Sequence, residues 1–535
     1  MYEYVLVGAG SAGCLLAYRL TEDPDVRVLL LEAGGPDDRA EIHIPATFSR
    51  LFKTEADWAY HTVPQRHAAD REWFWPRGKV LGGSSAINAM IYIRGHRADF
   101  DGWAADGCTG WGYSDVLPSF KRSEDNARGA NAYHGVRGRW RVEDLRSPNP
   151  LSEAFVDAAV QAGHDRNPDF NGPEQEGAGL YQVNQRSGRR VSAATAFLRP
   201  AMKRPNLTVE TGALATRVPF QSGAATGVEY VQNGVHRRAL ASREVILCGG
   251  AINSPQLLML SGIGPADDLR RLGLSVEADR PEVGANLHDH PIVGVRWASR
   301  EPISLLGAET TGEVSRYLLT RRGMLSSNVA EAGLFAHTRS GEVRPDVQFH
   351  VAPALFYEHG FQQPDAHGFS LGPTLNRPLS RGRMWLRSPN AIDAPALDPN
   401  YFAEPADIAS LVTGVRMARE IVAQPAYDPY RGRELDQMAV ATTDAEIERV
   451  IRQTAETLYH PVGTCRMGPD AASVVDLALR VRGVDKLRVV DASVMPSVTT
   501  GNTAAATMMI AEKAADWIRS LVPEPEATRP APADA

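Results

Sequence analysis

Cysteine is scarce in this chain of 535 residues, and its four copies, Cys14, Cys108, Cys248 and Cys465, stand far apart with no CxxC pair. That spacing excludes a disulfide framework and a zinc site, and reads as reduced thiols in a cytoplasmic enzyme without a metal. Long apolar runs are missing too, so no segment suits a membrane helix. The N-terminus lacks a basic n-region, since Met1-Tyr2-Glu3-Tyr4 leads straight into apolar residues, and reads as carrying no signal peptide. Positive charge is not in excess. The 57 Lys and Arg face 64 Asp and Glu, a formal net charge of −7, which argues against a nucleic-acid surface. A G-x-S-x-G turn is absent, although Ser84 and Ser85 follow two glycines, which sets a hydrolase aside. No internal repeat stands out. What remains is an ordinary globular composition, 43% hydrophobic and 23% charged with mean hydropathy −0.27, in a chain long enough for two domains or one elaborated domain.

The first chemistry lies at the N-terminus. Residues 4–7 form a short apolar run suited to a strand buried in a parallel sheet. They lead into Gly8-Ala9-Gly10-Ser11-Ala12-Gly13; residues 14–20 then read as a helix, and a strand over 26–31 ends at Glu32 and Ala33. Strand, G-x-G-x-x-G, helix, strand and an acid about 20 residues on is the dinucleotide-binding order. Gly8 permits the tight turn, Gly10 lets a pyrophosphate approach the backbone, and Gly13 lets helix and strand pack closely. The helix N-terminus at Ser11 and Ala12 offers free N–H groups to the phosphates. Glu32 is suited to the adenosine ribose hydroxyls and disfavours a 2′-phosphate, and hence NADP. The motif does not separate FAD from NAD.

Further segments carry a resemblance. GKVLGGSSAIN at 78–88 is similar to the first signature of the glucose–methanol–choline (GMC) oxidoreductase family, and GAINSPQLLMLSGIG at 250–264 to its second. DWAY at 57–60, NLHDHP at 286–291 and HPVGTC at 460–465 follow the same pattern, which runs from Tyr2 to about Leu521. The resemblance implies bound FAD, a bipartite fold and oxidation of an alcohol by hydride transfer to flavin N5. Gly82, Gly83, Ser84 and Ser85 are small enough for backbone to approach a flat isoalloxazine ring, with Asn88, Ala89, Met90 and Ile91 presenting groups to its polar edge. Trp58, in the DWAY segment, is counted with these cofactor residues. Ile87 stands where some members attach FAD through a histidine, so FAD is expected to be non-covalent. The resemblance places Val218 at the adenine, and Asp491 and Ala492 beside the ribityl chain and pyrophosphate. The family's catalytic histidine falls on His460 and its partner on Asn502, implying a general base and a donor that orients the alcohol oxygen. A helix over 503–518, with Asn502 or a neighbour as N-cap, would turn its positive end from Thr503 onto the flavin.

The resulting expectation is an α/β chain, α+β overall. Its Rossmann-like FAD-binding domain takes 1–145, 190–290 and 455–520, and an antiparallel-sheet substrate domain takes 146–189 and 291–454. Strands are expected at 206–210, 215–218, 244–248, 346–351 and 489–491, and a Pro/Ala-rich disordered tail at 521–535. His288 and His290 form an H-x-H pair without a third ligand at metal spacing and read as structural. His350, His359 and His367, with Phe349, Phe356, Tyr357 and Phe361, stay open between cavity wall and core packing. Three functions follow: oxidation of a non-sugar primary alcohol to the aldehyde, with oxygen or a quinone or dye as acceptor; choline dehydrogenation, needing an aromatic cage and a carboxylate for which Glu331 and Glu358 are candidates; and, from another class, a lyase or decarboxylase on the same FAD fold.

Overall fold

The computed structural model describes residues 1–520 and Glu524; the rest of the tail expected over 521–535 lies outside the described residues. In chain order, the elements that position the cavity begin with β1 (Tyr2–Val7), α1 (Ser11–Leu20), β2 (Val28–Leu31), β3 (Gly177–Leu180) and β4 (Leu207–Glu210). Next come β5 (Ala213–Arg217), β6 (Gly227–Gln232), β7 (Val235–Leu247), α2 (Gly250–Leu260), β8 (Pro291–Ile292) and β9 (Val295–Ser299). They continue with β10 (Ala332–Ala336), β11 (Val347–Ala352), β12 (Gly368–Leu375), β13 (Arg431–Glu434), β14 (Glu456–Thr457), β15 (Leu487–Val489) and α3 (Ala504–Ile518).

One sheet runs β4-β2-β1-β7-β6-β5, with β15 also on β7. Its β4, β2, β1, β7 and β15 are parallel, whereas β5, β6 and the first half of β7 form an antiparallel meander. The unbroken apolar run of β2 is buried throughout, as a strand covered on both faces must be. One cover is α1, which packs on β1, β2 and α3.

The second sheet runs β13-β9-β12-β11-β10-β3, with β8 bridging β12 and β14. All its pairings are antiparallel. Its central strands β10, β11 and β12 are buried at every residue. The helices Pro150–Gln161 and Pro405–Val422 pack on these strands. Alternation in β11 therefore sorts two buried faces rather than core from solvent. Phe349 meets Phe155 of the first helix at 6.4 Å between ring centroids. His350, one residue on, lies in the cavity wall.

One local expectation changes, and another, Asn502 or a neighbour as cap of the last helix, resolves to the neighbour. The strand expected over 489–491 is β15 and stops at Val489, and Asp491 instead caps a 3₁₀ turn over Ala492–Val494, accepting from the Ser493 N–H. The last helix begins at Ala504 with Thr503 as N-cap and no side-chain capping bond. Asn502 does not cap it, because its amide bonds Gln348 and His460 instead.

Candidate active site

A cavity of about 340 Å³ runs from Glu32 at one end to His460 at the other, walled by residues of both sheets. The end nearer Glu32 is largely backbone. Gly8 has φ +101°, and a Cβ there would stand 2.6 Å from the Cys248 carbonyl oxygen. A Cβ on Gly13 would meet the Gly8 carbonyl at 1.9 Å, so α1 and the turn touch only because that residue is glycine. Gly10 differs, since a Cβ there has nothing nearer than 3.9 Å and opens onto the cavity. The 82–84 segment closes the other side. Gly82 N–H donates to the Ala9 carbonyl at 2.8 Å, and a Cβ on Gly83 would lie 2.6 Å from Gly10 Cα. Ser11, Ala12, Glu32, Ala33, Gly83 and Ser84 line the cavity; Gly13 and Gly82 stand behind them as packing positions.

Glu32 does local work as well. Its carboxylate accepts from the Ala9 and Gly34 N–H groups at 2.8 Å each, and burial pushes its pKa up to about 7. Trp58 stacks on Tyr60 at 5.7 Å, with Lys79 Nζ 4.6 Å from its ring centroid. Asn88, Ala89, Met90 and Ile91 line the cavity. Asn88 Oδ1 takes the Met90 N–H at 3.0 Å and Arg190 Nη1 at 2.7 Å, which holds this segment in place. Arg190 is wholly buried, and that burial lowers its pKa to about 9. Asp491 accepts from Gly250 N–H at 2.9 Å and Ser254 Oγ at 2.6 Å, tying the start of α2 to the segment after β15. Ala492, Asn502 and Thr503 complete that side of the wall. Val218 does not reach the cavity wall: it is buried, with its N–H donating to Ser261 Oγ at 2.8 Å, and Ala213, Leu214 and Ala215 of β5 line that end instead.

These features fit a dinucleotide. A backbone cradle that a Cβ at Gly10 would fill, the N-terminus of α1 and an acid at the end of β2 converge on one end of an elongated slot.

The opposite end is built from side chains. His460 Nε2 lies 3.3 Å from Asn502 Nδ2, and His460 Nδ1 lies 3.0 Å from His290 Nδ1. Burial holds His460 well below the ordinary imidazole range, and the neighbouring His290, His350 and Arg77 add to that. Burial likewise pushes His290 and His350 down to about 3. The backbone of His460 is anchored by Asp289, whose Oδ1 accepts its N–H at 2.6 Å while Oδ2 takes the hydroxyls of Thr457 and Tyr401. His350 Nε2 is buried and has no hydrogen-bond partner among the described residues. Phe48, Phe52, Ile292, Val329 and Phe356 supply apolar wall, with Arg77, Arg296 and Glu456 among the charged residues that line it. The sequence reading takes His290 as structural and leaves His350 open between cavity wall and core; for His350 the period-two alternation through Gln348 and His350 in β11 is the available signal. Among the described residues, no group of three His, Cys, Asp or Glu could hold a metal, and no helix is long and apolar enough to cross a membrane.

Family models described as GMC oxidoreductase match residues 2–292 and 378–511. The chain is 47% identical over 528 residues to "Alcohol dehydrogenase [acceptor]" of Pseudomonas putida, covering 97% of this chain and 96% of that one. It is 46% identical over 536 residues to the mitochondrial choline dehydrogenase of Homo sapiens, covering 97% and 90%. Among solved structures, pyridoxine 4-oxidase from Mesorbium loti superposes with a TM-score of 0.89 at 34% identity, covering 97% and 99% of the two chains.

Proposed function

The chain belongs to the GMC oxidoreductase family of FAD-dependent enzymes acting on CH–OH groups, and on that premise we propose that His460 and Asn502 carry out the oxidation of a non-sugar primary alcohol to its aldehyde. The observation that carries this reading is the His460 Nε2–Asn502 Nδ2 pair, 3.3 Å apart, on the cavity wall opposite the glycine cradle. Burial keeps His460 neutral near pH 7, so Nε2 is free to take the hydroxyl proton. Asn502 Nδ2 carries a second hydrogen suited to the alcohol oxygen, orienting it while the proton leaves. Gly8, Gly10, Ser11 and Ala12 with Glu32 would hold the adenosine and pyrophosphate of FAD, and Gly83, Ser84 and the 88–91 segment its ring. FAD, when bound, supplies the two-electron acceptor for the hydride leaving the alcohol carbon. Ile87, on the wall, has no nucleophile, which supports a cofactor held without a covalent link.

The substrate end supports an uncharged alcohol with an apolar body. Phe48, Phe52, Ile292, Val329 and Phe356 offer no fan of donors and acceptors for a sugar. Choline is disfavoured on charge. Glu331 lies off the wall, its carboxylate held by Asn149 N–H and the Ser152 and Ser327 hydroxyls, and Glu358 is off the wall too. The acid that lines this end of the cavity, Glu456, has its pKa pushed up to about 7 by burial, and Arg296 shares its wall.

The test is anaerobic stopped-flow absorbance of the holoenzyme with choline, medium-chain alkanols, benzylic alcohols and a sugar, oxygen being admitted afterwards. Alkanols or benzylic alcohols should bleach the flavin, and His460→Ala should slow bleaching by on the order of 10²-fold or more with FAD retained. Unchanged reduction in that variant removes His460 from its role; a flavin that no alcohol bleaches brings the lyase or decarboxylase reading forward. Acid precipitation of the same preparation should leave all flavin in the supernatant.

A further inference from the structure

The H-x-H pair of the sequence divides on folding. His288 is structural: its Nδ1 meets the Asn286 carbonyl at 2.6 Å and its Nε2 accepts the Val498 N–H at 2.9 Å. His290 instead faces His460. Resting on the reading of His460 as the base, we propose that His290 is a positioning residue that fixes His460 in the Nδ1–H tautomer, leaving the Nε2 lone pair on the substrate side.

The argument starts from an atom whose role is not negotiable. The Asn376 carbonyl oxygen can only accept, and His290 Nε2 lies 3.0 Å from it, so His290 carries its hydrogen on Nε2. A neutral imidazole has one N–H, so His290 Nδ1 is a bare lone pair. That nitrogen lies 3.0 Å from His460 Nδ1, with the rings at 88° to one another. The hydrogen between them comes from His460. Neutral His460, protonated at Nδ1, then has nothing on Nε2.

A second chain reaches the same atom from the other side. The Phe349 carbonyl accepts the Tyr181 hydroxyl at 2.7 Å, which uses the only hydrogen that oxygen has. Tyr181 oxygen therefore accepts from Gln348 Nε2 at 2.9 Å, and the same amide nitrogen reaches Asn502 Oδ1 at 3.3 Å. With its oxygen taken by Gln348, Asn502 turns Nδ2 towards His460 Nε2 at 3.3 Å. A donor faces Nε2, so Nε2 must accept. Two backbone carbonyls, one beyond β12 and one on β11, thus set the direction of every bond between them, and both chains require the same tautomer of His460.

The consequence is chemical. An imidazole with a hydrogen on Nε2 cannot take the alcohol proton there, so each molecule in the wrong tautomer is idle. When His460 becomes imidazolium, its Nδ1–H still has His290 Nδ1 to receive it. The role parallels that of an orienting group behind a catalytic histidine, here filled by a neutral ring instead of a carboxylate.

The experiment uses the holoenzyme labelled with ¹⁵N-histidine, whose ring-nitrogen shifts distinguish N–H from bare nitrogen, with His460 assigned by its loss in His460→Ala. Wild type should show His460 protonated at Nδ1 and bare at Nε2. His290→Leu, which removes the acceptor, should mix the tautomers and lower the saturating rate of anaerobic flavin reduction by about tenfold, with alcohol half-saturation unchanged. His290→Asn, which returns an amide oxygen near the Nδ1 position, should recover most of that rate. A resting wild-type His460 protonated at Nε2 overturns the proposal without any variant. So does a His290→Leu enzyme with the wild-type rate and tautomer, while an unaffected His460→Ala enzyme would instead remove the general-base reading beneath it.

Discussion

At the cradle end of the cavity the working surface is backbone, and at the histidine end it is side chain. Around Gly8, Gly10, Gly13 and Gly83 the contacts are chain against chain, and what matters is the absence of a Cβ. Around His460 the polar contacts are directed bonds, made to it by residues 289, 290 and 502 and relayed through residues 181, 348 and 376. Where two chain segments of the cradle touch, as at Gly8, Gly13 and Gly83, an added atom has no room. The histidine wall has room for substitution, yet its function depends on where each proton sits. The two ends should therefore fail differently.

The largest effect is expected within the cradle. Gly13→Ala puts a Cβ against the Gly8 carbonyl with no side chain able to yield, and should destabilise the protein by at least about 3 kcal/mol, with or without FAD. Gly10→Ala has free space in the polypeptide and should keep the apoprotein's thermal midpoint while losing flavin, read as the ratio of flavin to protein absorbance. Equal flavin content in Gly10→Ala and wild type would break the claim that this backbone faces the cofactor.

At the other end, Asn502→Ala should leave fold and flavin content intact and slow anaerobic reduction by roughly tenfold, less than His460→Ala, because it removes an orienting donor and not the base. A loss equal to that of His460→Ala would mean the two act as one unit.

The smallest effect is read in pH, where buried imidazoles and buried carboxyl groups act with opposite sign. His290, His350 and His359 sit near about 3 when folded against an ordinary 6.5, because burial penalises their charged forms. Between those values the unfolded chain binds more protons, so they lower stability as pH falls below 6.5. Glu32 of the cradle and Glu456 are raised to about 7 from an ordinary 4.5, so the folded chain binds more protons and they raise stability as pH falls from 7 to 4.5. The histidines outnumber the acids. The stability of the holoenzyme should fall as pH drops from 6.5, by about 1 kcal/mol over the first unit and more steeply below 4.5 where the acids cease to offset, read as a falling thermal midpoint. A level midpoint from pH 6.5 to 4 would show that the wall imidazoles are not desolvated.

Legibility in the sequence follows the same division. Gly8, Gly10, Gly13 and Glu32 declare a dinucleotide cradle because strand, turn and helix are contiguous and their geometry is local. Val218 lies one residue beyond β5, where its N–H bonds Ser261 and the cavity wall belongs to Ala213, Leu214 and Ala215, a placement no local pattern announces. The last helix shows what local rules leave open: Asn502 or a neighbour could cap it, Thr503 does, and the Asn502 amide bonds Gln348 and His460. His290 read as structural because nothing in NLHDHP says that its ring meets residue 460.

The sequence by itself determined the βαβ cradle, the buried parallel strands and, through the resemblance, the identity of His460 and Asn502 as a pair. Only the tertiary structure decided that His460 is neutral, which atoms face it and which of its nitrogens is bare. The reason is physical: steric permission for a turn is encoded within a few residues, whereas desolvation and hydrogen-bond direction depend on groups more than a hundred residues apart being closed into one water-poor volume.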